Sequence, residues 1–305
     1  MTVPRRVKVT VPATTANLGA GCDCLGLAVS LYNTVILEIA EAGLTVTVAG
    51  EGEELLPCDA NNTVWLAAKR LWDELGLPAP EGLRIDLKNG IPVGAGLGSS
   101  AAAIVGGLTA ANVLAGTPLA PEEVLSLAAL FEGHPDNVAA AFLGGCVAAV
   151  LEGDRLKTLK FTVSGGLKVV AAVPDFNLAT ARARMILPEV YPREDAVYNI
   201  GRTALLAGIF AYGRYDLLSY GMQDRLYQPH RAPLVPGFHD VMGAALEAGA
   251  LGVALSGAGP SVVALTTGDT GGIEAAMAGA FQNAGVSVRT LTLDPDNDGT
   301  QVEEL

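Results

Sequence analysis

The segment IPVGAGLGSSAAA (91–103) has the residue types that can bind a phosphate group through the backbone. Gly94, Gly96 and Gly98 alternate along it, and glycines let a chain turn sharply and present N–H groups with no Cβ in the way. Ser99 and Ser100 follow where a helix is expected to begin, and a helix N-terminus has unpaired N–H groups and a partial positive charge. The segment therefore predicts a phosphate cradle, with a ligand-free strand-to-helix turn as the alternative.

The glycine spacing separates this loop from two common nucleotide motifs. It has no Lys-Ser/Thr ending of the kind found in a P-loop, and its glycines follow G-x-G-x-G instead of G-x-G-x-x-G. A dinucleotide-binding oxidoreductase would also need the matching strand-loop-helix spacing and a later acidic residue. The sequence has neither, so this class is disfavoured.

Two more glycine-rich segments, VPATTANLGAGCDCLGLAV (11–29) and LSGAGPSVVAL (255–265), follow or join predicted strands. Loops at strand ends are where functional sites are usually built. In a chain of net charge −13, an anion such as ATP needs local compensation from backbone N–H groups, Mg²⁺ and arginines. Arg182, Arg184 and Arg231 are the candidates, and the apolar surroundings of Arg231 in RAPLVPG favour a pocket over a solvated face.

The segment FEGHPDNVAAAFLGG (131–145) brings Glu132, His134, Asp136 and Asn137 within six residues of one another. Capping and turn chemistry alone would account for Asp and Asn at such a position. The functional interpretation is a metal-binding carboxylate beside hydrogen-bonding groups for a small polar substrate. Both interpretations remain open from the residues alone.

Periodicity predicts an α+β chain with mostly antiparallel or mixed strands. The residues 44–50 are expected to form a hairpin with the preceding strand across a glycine-containing turn. The charged segment EGDRLK (152–157) suggests a boundary between domains at 1–155 and 156–305. The strands are predicted at 7–11, 33–41, 44–50, 83–88, 144–151, 167–174, 252–257, 261–267 and 286–293, and the helices at 61–75, 100–114, 121–133, 194–213, 238–249 and 272–285.

Composition and charge exclude some classes of function. No run of Lys or Arg interrupts the acidic chain, so no nucleic-acid partner is expected. Four scattered cysteines and an opening without a secretory signal indicate reduced thiols and a cytoplasmic location. The window 91–120 has no charged residue, but its glycines and prolines favour a buried loop and helix over the alternative of a membrane span.

Taken together, the motifs resemble those of the GHMP small-molecule kinase superfamily. IPVGAGLGSSAAA matches the central phosphate loop of the superfamily, and LSGAGPSVVAL matches its C-terminal glycine motif. VPATTANLGAGCDCLGLAV, EGHPDNVAAAFLGG, ARARMILP and DRLYQPHRAPLVPGF resemble the homoserine kinases within it. The resemblance covers the chain from residue 7 to about residue 290 and includes the motifs in the order expected for the family.

The resemblance implies a fold and a reaction. The fold would be an N-terminal ribosomal protein S5 domain 2-like domain followed by a C-terminal ferredoxin-like α/β sandwich domain. The reaction would transfer the γ-phosphoryl group of ATP to the side-chain hydroxyl of L-homoserine with Mg²⁺, on the route to threonine. A homodimer without a membrane partner is the family expectation.

The resemblance also assigns roles residue by residue. Asn62 would contact adenine, and Ser100 (or Ser99) and Glu132 would hold Mg²⁺. The triphosphate would be wrapped by Pro92, Val93, Gly94, Ala95, Gly96, Leu97, Gly98, Ser99, Ser100, Ala101 and Ala102. Homoserine would contact Asn17, Asp23, His134, Asp136, Asn137 and Gly257, with its carboxylate on Arg184 and Arg231, whose guanidinium groups suit planar two-pronged recognition.

The expected chemistry uses no strong general base. Mevalonate kinase-like members have an Asp where this chain has Asn137, and an amide cannot accept the proton of the substrate. Phosphoryl transfer through a loose transition state depends on positioning and charge neutralisation. Asn137 would therefore orient the hydroxyl, while Asp23 or Asp136 as the base is the alternative. The cysteines of CDCLG, beside Asp23, are interpreted as packing residues.

Other functions remain as alternatives. One is a different superfamily kinase that acts on mevalonate, a diphosphocytidyl polyol or shikimate. The other is a non-catalytic ligand sensor of the same fold, which degenerate glycine loops would indicate. The three loops are intact, and two arginines suited to a carboxylate favour an amino-acid substrate.

Overall fold

Residues 4–305, the part of the chain that this computed structural model describes, form two β-sheets with helices packed on them. The strands are β1 (Arg6–Asn17), β2 (Gly21–Ile39), β3 (Gly43–Gly50), β4 (Gly82–Asn89), β5 (Cys146–Glu152), β6 (Arg155–Phe161), β7 (Lys168–Pro174), β8 (Gly252–Leu255), β9 (Val262–Thr266), β10 (Val288–Leu293) and β11 (Gln301–Glu304). The helices are α1 (Thr63–Glu74), α2 (Ser99–Leu114), α3 (Pro121–Glu132), α4 (Asp136–Leu143), α5 (Thr180–Met185), α6 (Arg193–Tyr212), α7 (Leu218–Gly221), α8 (Gln228–Arg231), α9 (Phe238–Glu247) and α10 (Gly271–Asn283).

The first sheet has seven strands: five in the order β11-β1-β2-β4-β3, with β5 paired to β2 and β6 paired to β5. Strand β2 is 19 residues long, so its second half pairs with β4 while residues 25–27 pair with β5. The valines that alternate along β1 are fully buried beneath helices, as their spacing predicts. This long central strand lets one sheet support both the glycine-rich loop at 91–98 and helix α4.

The predicted hairpin between the strands at 33–41 and 44–50 is wrong. Strand β3 pairs in parallel with β4, and β4 lies between β3 and β2. Leu83, Ile85 and Leu87 of β4 are buried, whereas Val46 is the one buried side chain of β3. A strand with so few buried side chains suits the sheet edge, and β4, with more of its side chains buried, takes the central position beside β2.

The second sheet is antiparallel throughout, with the order β10-β7-β9-β8. Helices α9 and α10 pack on it through Phe238, Val241, Met277 and Phe281. Because one β3–β4 pair is parallel and all other named pairs are antiparallel, the α+β prediction with mixed strands is confirmed.

Helices α4, α5, α7 and α8 and strands β6 and β11 were not predicted. Helix α4 begins within the Glu132–Asn137 cluster, strand β6 covers the segment predicted as a boundary, and β11 occupies the acidic C-terminus. The hairpin β5–β6 crosses residue 155, and β11 pairs with β1 in the first sheet. The change of sheet therefore falls between Phe161 and Lys168, and the division at 155/156 stays a prediction.

The uncharged window 91–120 forms a loop and helix α2, whose small residues pack against β1 and β2. Among the described residues, no helix is both long enough and apolar enough to cross a membrane. The prediction of a buried loop and helix in this window is confirmed.

Candidate active site

The three glycine-rich segments contact one another through backbone hydrogen bonds. Thr14 N donates to Leu97 O over 3.1 Å, and Ser261 N donates to Ala95 O over 3.2 Å. Gly257 N donates to Ala16 O over 3.1 Å, which links the first segment to the last. The loop at 91–98 is therefore held between β1 and the turn after β8.

Glycine is required in this loop for two reasons. Gly94, Gly96 and Gly98 all have positive φ values (68°, 80° and 75°), which side chains disfavour. A Cβ on Gly96 would lie 2.3 Å from Ser256 O, and one on Gly98 would lie 2.1 Å from Thr14 Oγ1. The alternation that the sequence shows thus follows from left-handed backbone and close approach of neighbouring segments.

The loop residues predicted to wrap a triphosphate fall into three groups. Those that line the central cleft are Gly94, Gly96, Gly98, Ser99 and Ser100. Those that line a second cavity behind the loop are Pro92, Val93 and Ala95. Those buried in the core are Leu97, Ala101 and Ala102. The side chains of the last two groups support the loop, and any contact with a ligand would use its backbone.

Helix α2 begins at Ser99, after Gly98 as its N-cap residue, and no side chain caps its first turn. Its N-terminus lines the same cleft as the loop glycines. Uncapped N–H groups and the helix dipole favour an anion at this point. The predicted start of a helix at the two serines is confirmed.

Ser100 and Glu132 come together at the rim of the cleft, 32 residues apart in the chain. Ser100 Oγ donates to Glu132 Oε2 over 2.9 Å. Burial raises the pKa of Glu132, while the charge of His134 and the Ser100 hydrogen bond act in the opposite direction. A hydroxyl and a carboxylate are the oxygen ligands that Mg²⁺ prefers, so the two residues fit the ion that was predicted for them.

A second group of possible metal ligands lies beside the first. Asp23, His134 and Asp136 place one ligand atom each within 4.8 Å of the others. However, both carboxylate oxygens of Asp23 already accept hydrogen bonds from Arg184. A cation there would compete with a guanidinium group, so Ser100 and Glu132 fit a metal ion better.

His134 connects the carboxylates of this region. Its Nδ1 lies 2.7 Å from Asp136 Oδ1, and its Nε2 lies 3.8 Å from Glu132 Oε1. Burial lowers the pKa of His134, but the hydrogen bond and charge of Asp136 and the charge of Glu132 outweigh it, so the pKa is raised. Asp136 is buried and its Oδ1 also accepts from Asn137 N over 2.8 Å, which stabilises the first turn of α4.

Asn137 faces the cleft from the first turn of α4. Its Oδ1 accepts a 2.7 Å hydrogen bond from Thr14 Oγ1, a fully buried hydroxyl of β1. The sequence did not indicate this partner, since a lone threonine in a strand carries no signal of function. The carbonyl end of the amide is thus held by the protein, and the NH₂ end remains for the cleft.

The turn between β1 and β2 has unusual backbone geometry. Asn17, Leu18 and Asp23 have φ values of 71°, 47° and 54°, a region that non-glycine residues rarely adopt. Asn17 holds the turn, because its Nδ2 donates to Gly257 O over 2.9 Å and its Oδ1 accepts from Asp23 N over 3.0 Å. Arg184 donates to both oxygens of Asp23, over 3.0 and 2.6 Å. Asn17, Asp23 and Arg184, the three polar residues predicted for the site in this region, all line the cleft.

Arg231 is a deeply buried charge of the site, with 2 % of its surface exposed, as is Asp136. Its Nε donates to Ala183 O over 3.2 Å, and NH1 donates to Gly257 O over 3.0 Å. Within residues 4–305, no carboxylate pairs with it, since its named partners are backbone carbonyls and the ring of Tyr227. A buried guanidinium with cleft access and no acidic partner in the described chain favours an anionic ligand.

Asn62 lies apart from the central cleft. Its Oδ1 accepts from Val64 N over 3.0 Å as the N-cap of α1, and its Nδ2 donates to Pro57 O over 2.7 Å. It lines a smaller cavity that also includes Leu87 and Ser99, so the cavity begins where the glycine-rich loop at 91–98 ends. The adenine contact predicted for Asn62 stays a prediction.

Several residues of the cleft were missed by sequence reasoning. Leu178 and Thr180 line the cleft from the segment before α5, and Ala258 and Gly259 line it beside Gly257. Asp224 lies outside the cleft, but its carboxylate accepts the N–H groups of residues 226–228 at the start of α8. An Asp just before a short helix is a capping signal, because its carboxylate can accept the first N–H groups of the helix. Asp224 in this way positions the helix that carries Arg231.

Comparisons with known proteins identify relatives across the whole chain. Residues 62–145 match the family described as GHMP kinases N terminal domain, and residues 204–283 match GHMP kinases C terminal. The chain is 45 % identical over 293 residues to a homoserine kinase of Carboxydothermus hydrogenoformans, covering 96 % of this chain and 95 % of the relative. It is 49 % identical over 259 residues to one of Caldicellulosiruptor bescii, covering 85 % and 84 %.

Solved structures agree with these relatives. A homoserine kinase crystal structure from Cytophaga hutchinsonii superposes with a TM-score of 0.88 at 34 % identity, covering 99 % of each chain. A crystal structure of mevalonate kinase superposes with a TM-score of 0.66 at 13 % identity, covering 95 % of this chain and 99 % of the other. The second similarity shows a shared fold only.

Proposed function

This chain belongs to the homoserine kinase family of the GHMP kinases, and we propose that it transfers the γ-phosphoryl group of ATP to the side-chain hydroxyl of L-homoserine. The products would be ADP and O-phospho-L-homoserine, an intermediate of threonine biosynthesis. The proposal includes Mg²⁺ and the absence of a strong general base.

The buried guanidinium of Arg231 is the observation that carries the choice of substrate. It opens onto the cleft with backbone partners only, and Arg184 stands on the same cleft beside Asp23. Two guanidinium groups suit the carboxylate of an amino acid. The buried carboxylate of Asp136 suits its ammonium group, since both oxygens of Asp23 already accept hydrogen bonds from Arg184. A neutral alcohol would leave the Arg231 charge without an anion.

The phosphate loop and the start of α2 support the nucleotide part of the proposal. Gly94, Gly96 and Gly98 bring bare backbone to the cleft, and the uncapped N–H groups from Ser99 onward point to the same region. The chain has no lysine among the residues that line this cleft, so neutralisation of phosphate charge would rely on these N–H groups and on a metal ion.

Ser100 and Glu132 would hold Mg²⁺, which when bound neutralises the charge on the phosphate oxygens. Glu132 is poorly solvated, and its raised pKa indicates a carboxylate that gains from a nearby cation. The remaining residues would act on the acceptor, with Asn137 orienting its hydroxyl through the amide NH₂ group. Asn17 and Gly257 would set the shape of the turn that carries Asp23.

The hydrogen bonds of the two candidate bases support catalysis without a strong base. Both oxygens of Asp23 accept from Arg184, and Oδ1 of Asp136 accepts from Asn137 N and lies 2.7 Å from His134 Nδ1. These oxygens are already engaged with other groups of the protein, so they are poorly placed to take up the proton of the substrate hydroxyl. Positioning of the hydroxyl against a neutralised phosphate would then supply most of the rate acceleration.

We also propose that the two parts of the fold correspond to a ribosomal protein S5 domain 2-like unit and a ferredoxin-like unit, and that the chain forms a homodimer. The four-stranded antiparallel sheet with α9 and α10 on it supports the second assignment. Val197 and Ile200 of α6, which are 59 % and 67 % exposed, support an apolar contact between copies. Analytical ultracentrifugation tests the homodimer directly.

The experiment that tests the reaction is ADP release by the purified protein with Mg-ATP and a panel of acceptors. The panel contains L-homoserine, D-homoserine, L-threonine, mevalonate, shikimate and a control without acceptor. Turnover that depends on L-homoserine, with phosphohomoserine identified by mass spectrometry, is the expected result. Turnover with another alcohol would overturn the substrate, and ATP binding without turnover on any acceptor would favour a ligand sensor.

A further inference from the structure

The hydroxyl of Thr14 is a polar group in the interior of the protein with one specific partner. Thr14 has no exposed surface, and its Oγ1 donates to Asn137 Oδ1 over 2.7 Å. A buried hydroxyl costs stability unless it is hydrogen-bonded, and valine would fill the same space with no such cost. Packing alone therefore gives no reason for a threonine at this position in β1.

The hydrogen bond determines which end of the Asn137 carboxamide faces the cleft. Thr14 has one hydroxyl proton, and that proton is used on Asn137 Oδ1. With the carbonyl oxygen held toward β1, the amide Nδ2 is the group left to face the cleft that Asn137 lines. Without the hydroxyl, the carboxamide could rotate and present either end.

Thr14 also contacts the phosphate loop. Its backbone N donates to Leu97 O over 3.1 Å, and a Cβ on Gly98 would come within 2.1 Å of its hydroxyl oxygen. One residue therefore touches both the loop assigned to the phosphates and the amide assigned to the acceptor. This double contact fixes the separation between the two halves of the site.

We propose that Thr14 is a positioning residue that holds the Asn137 amide with its NH₂ group toward the acceptor oxygen and in register with the phosphate loop. The inference rests on the proposed function, because it takes Asn137 as the residue that orients the acceptor hydroxyl. Thr14 itself touches neither substrate and acts through Asn137.

Two substitutions at residue 14 separate the hydroxyl from the shape of the side chain. Thr14→Val keeps the shape and removes the hydroxyl, and it is expected to lower kcat by about 10- to 100-fold, a cost typical of a misplaced reacting group. The KM for ATP should stay within about twofold, because the backbone contact with Leu97 is kept. Thr14→Ser keeps the hydroxyl and should recover kcat to within about threefold of the unmodified chain. An equal fall in kcat in both variants, or a change in KM with no change in kcat, would overturn the proposal.

A double-mutant cycle tests whether the effect passes through Asn137. If it does, Thr14→Val should change kcat by less than about twofold in an Asn137→Ala background. Thr15→Val is the matched control, because Thr15 is an equally buried threonine on the same strand whose hydroxyl meets Ser256 Oγ over 2.9 Å. The effect of Thr15→Val on kcat, in free-energy terms, should add in full to that of Asn137→Ala. Full additivity for Thr14→Val as well would contradict the proposed role.

A measurement without substrate separates this inference from the proposed reaction. In chains with ¹⁵N-labelled asparagine, the side-chain NH₂ signal of Asn137 is identified by its loss in Asn137→Ala. Thr14→Val should shift that signal or average its two protons, while Thr14→Ser and Thr15→Val should leave it in place. If the chain failed to phosphorylate L-homoserine but the signal responded as expected, the proposed function would fail and the Thr14–Asn137 link would stand. An unchanged signal in Thr14→Val would refute the link itself.

Discussion

Replacement of Arg231 by methionine should weaken recognition of the acceptor through its carboxylate. Methionine keeps much of the length and apolar volume of the arginine stem and removes the guanidinium group. Arg231 as a residue is only 2 % exposed, and it has no carboxylate partner in the described chain. Arg231→Lys keeps the charge but cannot offer two parallel N–H groups, so it should show an intermediate loss.

The size of the effect follows from the contacts of the side chain. A hydrogen bond to a charged group contributes about 1.5 to 3 kcal/mol, and each 1.4 kcal/mol is tenfold in an equilibrium or rate ratio. The expected fall in kcat/KM for L-homoserine is therefore about 10- to 150-fold. Loss of the donors to Ala183 O and Gly257 O adds a structural cost that affects every acceptor equally.

An acceptor without a carboxylate separates the two contributions. 3-Aminopropan-1-ol has the hydroxyl and amine of homoserine but no carboxylate, and both acceptors are assayed by ADP release with the unmodified chain and with Arg231→Met. The ratio of kcat/KM for homoserine to that for the aminoalcohol should fall by about 10- to 150-fold in the variant. Arg182→Met, an exposed arginine in α5, is the control and should leave the ratio unchanged.

A ratio that stays the same in Arg231→Met would refute the reasoning, even if total activity fell. It would mean that Arg231 supports the turn at Gly257 and contributes nothing specific to the carboxylate. If the ratio of the two kcat/KM values fell equally in Arg182→Met, net positive charge near the cleft would attract the acceptor, and a specific contact with Arg231 would not.

Three further predictions concern the loop, the histidine and the thiols. Gly96→Ala should raise the KM for ATP by about tenfold or more, because Gly96 has a positive φ and its added Cβ would lie 2.3 Å from a backbone oxygen. As the control, Gly201→Ala in α6 has open space around the added Cβ and should raise the free energy of unfolding in urea by up to about 1 kcal/mol. The His134 ring should titrate by NMR with a midpoint above the usual histidine pKa of 6.5, and Asp136→Asn should lower that midpoint. The stability that protonated His134 contributes is complete below pH 6.5 and is lost as the pH rises through the raised pKa. Cys58, which is exposed, should react first with a thiol reagent at pH 8, because burial raises the pKa of the other three cysteines; simultaneous labelling of all four would contradict the burial.

The loop glycines and the α2 start could be predicted from sequence because their physics is local. Positive φ at Gly94 and Gly96 and an uncapped helix start at Ser99 depend on neighbours within a few residues. The helix at 61–75 was predicted for the same reason, since Asn62 caps it through Val64 N. Such features need no knowledge of where distant segments lie.

The position of β3 could not be predicted in the same way. A glycine-containing turn between two strands favours a hairpin, but the parallel pairing of β3 with β4 depends on which strand has more surface to bury. That choice is made by competition among strands across the whole sheet. Strand β11 is a similar case, since its partner β1 lies about 290 residues earlier in the chain.

The amino-acid sequence by itself determined the family, the glycine loop at 91–98 and most of the polar residues in the cleft, because short motifs carry their own backbone requirements. The tertiary structure alone decided how those residues pair. It placed Arg184 on Asp23, left Arg231 with backbone partners only, and joined Thr14 to Asn137 across 123 residues. Hydrogen bonds between distant segments form only after the strands have packed, so no local pattern in the chain specifies them.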